Sequence, residues 1–105
     1  MNYEVVITSR AEREAQVNHD WWAKHRSAEQ AAHWYDEFLN ATLLLEHDPD
    51  RFTYAPENDR FPYDIRQLNF GIGGKPTHRI VYTVRTNDVV VLRVRHHAQD
   101  AIDLD

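Results

Sequence analysis

The sequence predicts an α+β fold in the order β-α-α-β-β-β, a small, mainly antiparallel sheet with a helical hairpin packed on one face. Three observations predict it. Apolar residues recur at helical intervals from Ala11 to Leu45, then switch to an alternating pattern from Asp64 onward. Ser9 with Glu12, and Ser27 with Gln30, have the spacing of capping boxes, marking two helix starts with a very short turn between the helices. The closing run Val89-Val90-Val91-Leu92 is dense in β-branched residues, as suits a central strand covered on both sides.

Each element can be justified in turn. Tyr3, Val5, Val6 and Ile7 make residues 2–8 a short strand. A first helix runs from Ser9 to about His25, with Ala11, Ala15, Asn18 and Trp22 on one face and Val17 and Trp21 as a second i, i+4 pair. A second helix follows Ser27 and carries Ala28, Ala31, Tyr35, Phe38, Leu39, Thr42 and Leu45. It should stop near His47, because Pro49 disfavours a helical Asp48. Residues 50–62 hold two prolines and several charges and read as a loop. Residues 64–70 form a strand ended by Gly71, and Gly73 to Pro76 a connection. Residues 77–85 form the next strand, Thr86-Asn87-Asp88 a hairpin turn, and residues 89–96 the last strand. Under strict alternation Val90, Leu92, Val94 and His96 share one face of that strand, and Val89, Val91, Arg93, Arg95 and His97 the other. If Ile80 and Leu92 face the helices, then Arg79, Arg93, Arg95 and His97 form a basic face pointing away.

At 105 residues the chain suits one domain, residues 1–105. With no cysteine there is no disulfide framework, thiolate zinc site or cysteine nucleophile. No apolar run is long enough to span a bilayer, and the N-terminal segment, which includes Glu4, does not read as a signal peptide; a cytoplasmic domain is expected. The formal net charge is −5, which argues against a protein that simply coats nucleic acid. The charge is segregated, however. Residues 1–65 carry a net −7, residues 66–97 a net +5 and the last eight residues a net −3. His78, His96 and His97 also lie in the basic stretch, which reads as a surface prepared for an anionic partner.

Three segments carry a family resemblance: Arg66-Gln67-Leu68-Asn69-Phe70-Gly71, His78-Arg79-Ile80-Val81-Tyr82-Thr83-Val84, and Val90-Val91-Leu92-Arg93-Val94-Arg95-His96-His97-Ala98. With the helix pair and the overall length, they make the chain resemble the RelE/ParE superfamily of bacterial type II toxins. The resemblance implies a compact toxin neutralised by an antitoxin that wraps an extended or helical segment around it. One branch cuts mRNA in the ribosomal A site; another poisons DNA gyrase.

Metal-free RNA cleavage needs a base for the 2′-OH, a stabiliser for the pentavalent phosphate and an acid for the leaving oxygen. Arginine suits the phosphate and histidine the proton transfers. By resemblance, Arg79 matches the arginine placed on the scissile phosphate. His97, or His96 if the register slips, resembles a C-terminal histidine used in proton transfer, with Glu57 or Glu46 as conceivable bases. The simpler structural role for Arg79 is pairing with a carboxylate such as Asp64. Arg66, Lys75, Arg93 and Arg95 are the candidate RNA- or partner-binding cations, and Trp22 a candidate antitoxin contact. Adjacent histidines on a strand point to opposite faces and chelate poorly, so no metal and no cofactor is expected. The chain departs from the RelE branch at Asp64 and Arg66, where that branch has lysines. It also lacks that branch's C-terminal arginine and tyrosine in residues 98–105. The sequence is therefore read as a ribosome-dependent mRNA endoribonuclease toxin. The alternatives are a non-enzymatic ParE-like gyrase inhibitor and an inactive member that serves as an antitoxin-binding partner.

Overall fold

Six main elements follow one another in the order expected from the sequence. They are β1 (Glu4–Ile7), α1 (Ser9–His25), α2 (Ala28–Leu44), β2 (Arg66–Phe70), β3 (His78–Val84) and β4 (Asp88–His96). The computed structural model describes residues 2–99 and 102. The sheet order is β1-β4-β3-β2, with β1 parallel to β4 and the other two pairings antiparallel. β4 is therefore internal, as its β-branched content requires. Among the described residues no helix is long and apolar enough to cross a membrane.

The helices cover one face. Ala11 and Ala15, one turn apart on α1, have no bulk to hold the helix off the sheet, and both are fully buried. From α2, Trp34 stacks on Phe38 with ring centroids 6.0 Å apart, and both pack against Phe70. Ile80, Tyr82, Val89, Val91 and Val94 complete this core from β3 and β4. The opposite face carries a smaller core of Ala55, Ile65, Val81 and Ile102, with Phe61 and Leu92 packed against it. The segment between α2 and β2 lies over this face, held by bonds from Ala55 N to Ile65 O (2.9 Å) and from Gln67 N to Thr53 O (3.0 Å).

Three local expectations are corrected. The cap of α1 is Thr8, whose Oγ1 accepts from Ala11 N at 3.2 Å, so Ser9 is already helical and the Ser9–Glu12 box is not formed. Thr8 wins because its hydroxyl also donates to Leu92 O at 3.3 Å, tying the helix start to β4. At α2 the cap falls on Ser27, as its spacing requires, accepting from Gln30 N at 3.1 Å. That helix ends at Leu44 rather than near His47: Tyr3 N bonds to Glu46 O at 2.8 Å, and Asp48 turns left-handed (φ 45°) ahead of Pro49.

The third correction concerns facing. Tyr82 pairs with Val91 but Val81 pairs with Arg93, so Leu92 is an extra residue in β4. Val89 and Val91 face the helices before this bulge and Val94 after it, while Leu92 packs in the opposite core. Strict alternation had put Leu92 with Val94.

Thr8→Ala should cost about 1 kcal/mol or more, while Ser9→Ala should stay within about 0.5 kcal/mol. Urea denaturation of the two variants tests the cap assignment.

Candidate functional site

The face away from the helices carries the arginines, as expected, but it is closed by the protein's own carboxylates. Arg79 lies opposite Asn69 on β2 and Arg95 on β4. Its guanidinium is held in fork geometry by Glu57, with Nη1 2.9 Å from Oε1 and Nη2 bonded to Oε2; Nη1 also donates to Gln67 Oε1 at 3.0 Å. Glu57 is only 4% exposed and Arg79 9%. Ile102 N donates to the same Glu57 carboxylate at 3.1 Å. The Arg79 guanidinium, despite the cost of burial, pulls the Glu57 carboxyl down to about 2. The carboxylate that pairs with Arg79 is thus Glu57 rather than Asp64. Glu57 is held ionised by that pairing, with both oxygens bonded to Arg79.

Arg93 is closed in the same way by Glu14 of α1, with Nε 3.0 Å from Oε1 and Nη2 2.8 Å from Oε2. Arg95 Nη1 lies 3.8 Å from Glu14 Oε2. Arg66 holds the segment above it, donating from Nη1 to Phe52 O at 2.6 Å and lying 4.2 Å over the Tyr54 ring. Lys75 is exposed in the connection between β2 and β3. The cations expected as one binding face therefore divide into internal braces and a separate loop lysine.

The two terminal histidines part company. His97 is exposed on the arginine side, its Nε2 3.1 Å from Asn69 Oδ1. His96 lies on the helix side, its ring 4.8 Å from that of His78 and nearly perpendicular to it. His78, expected with the other two histidines on the surface of the basic stretch, is instead an internal residue. It is buried, with Nε2 2.9 Å from Asn18 Oδ1 and Nδ1 within 2.8 Å of Thr77 Oγ1 and 3.4 Å of Trp34 Nε1. A neutral ring with the proton on Nε2 satisfies all three: it donates to Asn18 and accepts from Thr77 and Trp34. Burial first, and then the neighbouring His96 and His97, push its pKa down to about 4. The position of His78 beside Arg79 on a strand leading into Ile80 was the available signal, since alternation turns it toward the helices.

Above His78 and His96 an open groove of about 500 Å³ lies between α1 and the ends of β3 and β4, walled by Val17, Trp21 and Trp22. Trp22 is half-buried against the core, while Trp21 (46% exposed) and Val17 (67%) stand out toward solvent. Of this group Trp22, the residue expected as a partner contact, is the least exposed, and Trp21 and Val17 the more exposed.

Residues 5–101 match the family model described as the ParE toxin of type II toxin-antitoxin system, parDE. The chain belongs to this family. It is thus a ParE-type toxin of the RelE/ParE superfamily, and a toxin of this kind has an antitoxin as its partner. The fold is similar to that of a solved chain from the chromosomal ParDE TA system of P. aeruginosa, with a TM-score of 0.73 and 14% identity, covering 90% of this chain and 95% of that one. At that identity the likeness concerns the fold. No curated protein matches the sequence.

Two measurements check the internal pairing in this toxin. Arg79→Ala should cost about 3–5 kcal/mol by stranding the Glu57 carboxylate, and Arg79→Met with Glu57→Gln should recover part of that loss. Acid should destabilise the fold in two stages. His78 is lowered from 6.5, so the stability its neutral ring contributes is complete above pH 6.5 and is lost as pH falls toward 4. Glu57 is lowered from 4.5, so its contribution is complete above that pH and is lost as pH falls toward 2. His78→Gln should remove the upper stage from a series of urea melts against pH.

Proposed function

We propose that this ParE-type toxin acts without catalysis, by binding a protein target, DNA gyrase, in the bacterial cytoplasm. The observation that carries this reading is the closure of Arg79 on Glu57. Stabilising a pentavalent phosphate needs donors aimed at the developing charge. Here the guanidinium fork is filled by a nearly inaccessible carboxylate, and turning Arg79 outward would leave that carboxylate buried and unpaired.

The histidines support the same reading. An acid and a base working on one phosphodiester must reach the same side of the sheet, whereas His96 and His97 lie on opposite sides. The net charge of −5 also suits a protein target better than ribosomal RNA, where displacing counterions favours a strongly basic ligand.

Inducing the chain alone in bacteria, with mapping of mRNA ends and a gyrase supercoiling assay, tests the proposal. The expected result is inhibited supercoiling with intact mRNA, and growth inhibition unchanged in His97→Ala, an exposed position whose loss leaves the core untouched. Codon-phased cuts that vanish in His97→Ala would overturn the reading in favour of the ribonuclease.

A further inference from the structure

The groove beside α1 is continuous with a second concavity. A hollow of about 370 Å³ shares Val17, Asn18 and Gln99 with it and extends along α1 to Arg13. At the other end Arg26 closes the groove, 5.8 Å over the Trp21 ring. From Arg13 to Arg26 the helical rise amounts to about 20 Å. Between these two cations the wall is apolar, with Val17 and Trp21 exposed one turn apart on α1 and Trp22 beside them, a contiguous patch rather than scattered surface hydrophobics.

The charge around this trough differs from that of the molecule. Among the described residues the only carboxylate lining either concavity is Glu14, and both its oxygens are taken by Arg93. Among the described residues neither Arg13 nor Arg26 has an ion-pair partner. A second exposed apolar group, Leu39, Leu43 and Leu44 on α2, has a different setting. The hollow beside it is lined by Glu37 and holds no Lys or Arg.

We propose that this trough is where the toxin receives its antitoxin, and that the antitoxin segment seated there is acidic and amphipathic. The inference rests on the chain being the toxin of a toxin-antitoxin pair. Apolar side chains of the segment pack on Val17, Trp21 and Trp22, and carboxylates at its two ends meet Arg13 and Arg26. A helix of about 13 residues, or a strand of about six, spans the distance. The exposed His96 ring and the Gln99 amide offer further hydrogen-bond donors along the floor.

The test measures binding of the purified toxin to the antitoxin polypeptide encoded by the adjacent reading frame, at low and high salt. Arg13→Glu with Arg26→Glu, and separately Val17→Glu, should each weaken binding at least about tenfold, because like charges or a buried carboxylate then meet the acidic segment. The charge-reversed pair should also lose the salt dependence of the wild type. Replacing the antitoxin's matching carboxylates by lysine should restore its binding. Leu43→Glu should bind as the wild type does, and thermal melts should show all variants folded. Unchanged affinity in the trough variants, or a loss confined to Leu43→Glu, would overturn the proposal. So would trough variants that keep antitoxin binding but no longer inhibit growth, which would make the trough the target's surface. Failure of the wild type itself to bind would overturn the partner assignment rather than the location alone.

Discussion

β1 ends at Ile7 opposite Val91, and beyond that point the outer edge of β4 has no strand beside it among the described residues. Glu14 of α1 takes the missing strand's place. Its carboxylate accepts the backbone N–H of Val94 at 2.9 Å, the donor an edge strand would otherwise present to solvent, and receives the Arg93 fork as well. One side chain thereby locks the helix against the sheet edge, neutralises an arginine and turns the Val17–Trp21 side of α1 outward over the ends of β3 and β4. The closed basic face and the open trough both depend on this anchor. It works because α1 follows β1 after a single residue, Thr8, and therefore starts alongside the strand it must protect.

Two carboxylates from the acidic part of the chain decide what the basic part can do. Glu57 and Glu14 are far from Arg79 and Arg93 in sequence, yet each fills the bonding fork of one arginine. Buried pairs of this kind contribute little net stability against well-packed apolar residues, but breaking one side is costly. Their effect is therefore largely to commit the arginines, whose guanidinium forks are filled within the fold. The surface then offers a different resource, an aromatic trough with a cation at each end.

Much of the fold was legible because it follows from local rules. The cap at Ser27, the turn before Pro49 and the alternation of Ile80 and Tyr82 are decided within a few residues, and the structure places them accordingly, though α2 ends three residues early. The facing of β4 was only half legible. Arg93 and Arg95 do point away from the helices, but Leu92 joins them because the bulge inserts a residue, and a bulge leaves no mark in the alternation itself. The cap of α1 misled because Thr8 and Ser9 are chemically equivalent in isolation; a long-range bond to Leu92 O favours Thr8.

By itself, the sequence determined the element order, the internal position of β4 and the side of the sheet on which Arg79, Arg93, Arg95 and His97 emerge. These depend on periodicity and β-propensity, which the chain carries locally. Only the tertiary structure decided that Arg79 closes on Glu57, that Arg93 closes on Glu14, and that Val17 and Trp21 stay exposed beside buried His78. Those outcomes depend on which distant carboxylate reaches which guanidinium once the sheet has formed. The charge of a segment says that cations are present, but not whether the fold has already spent them.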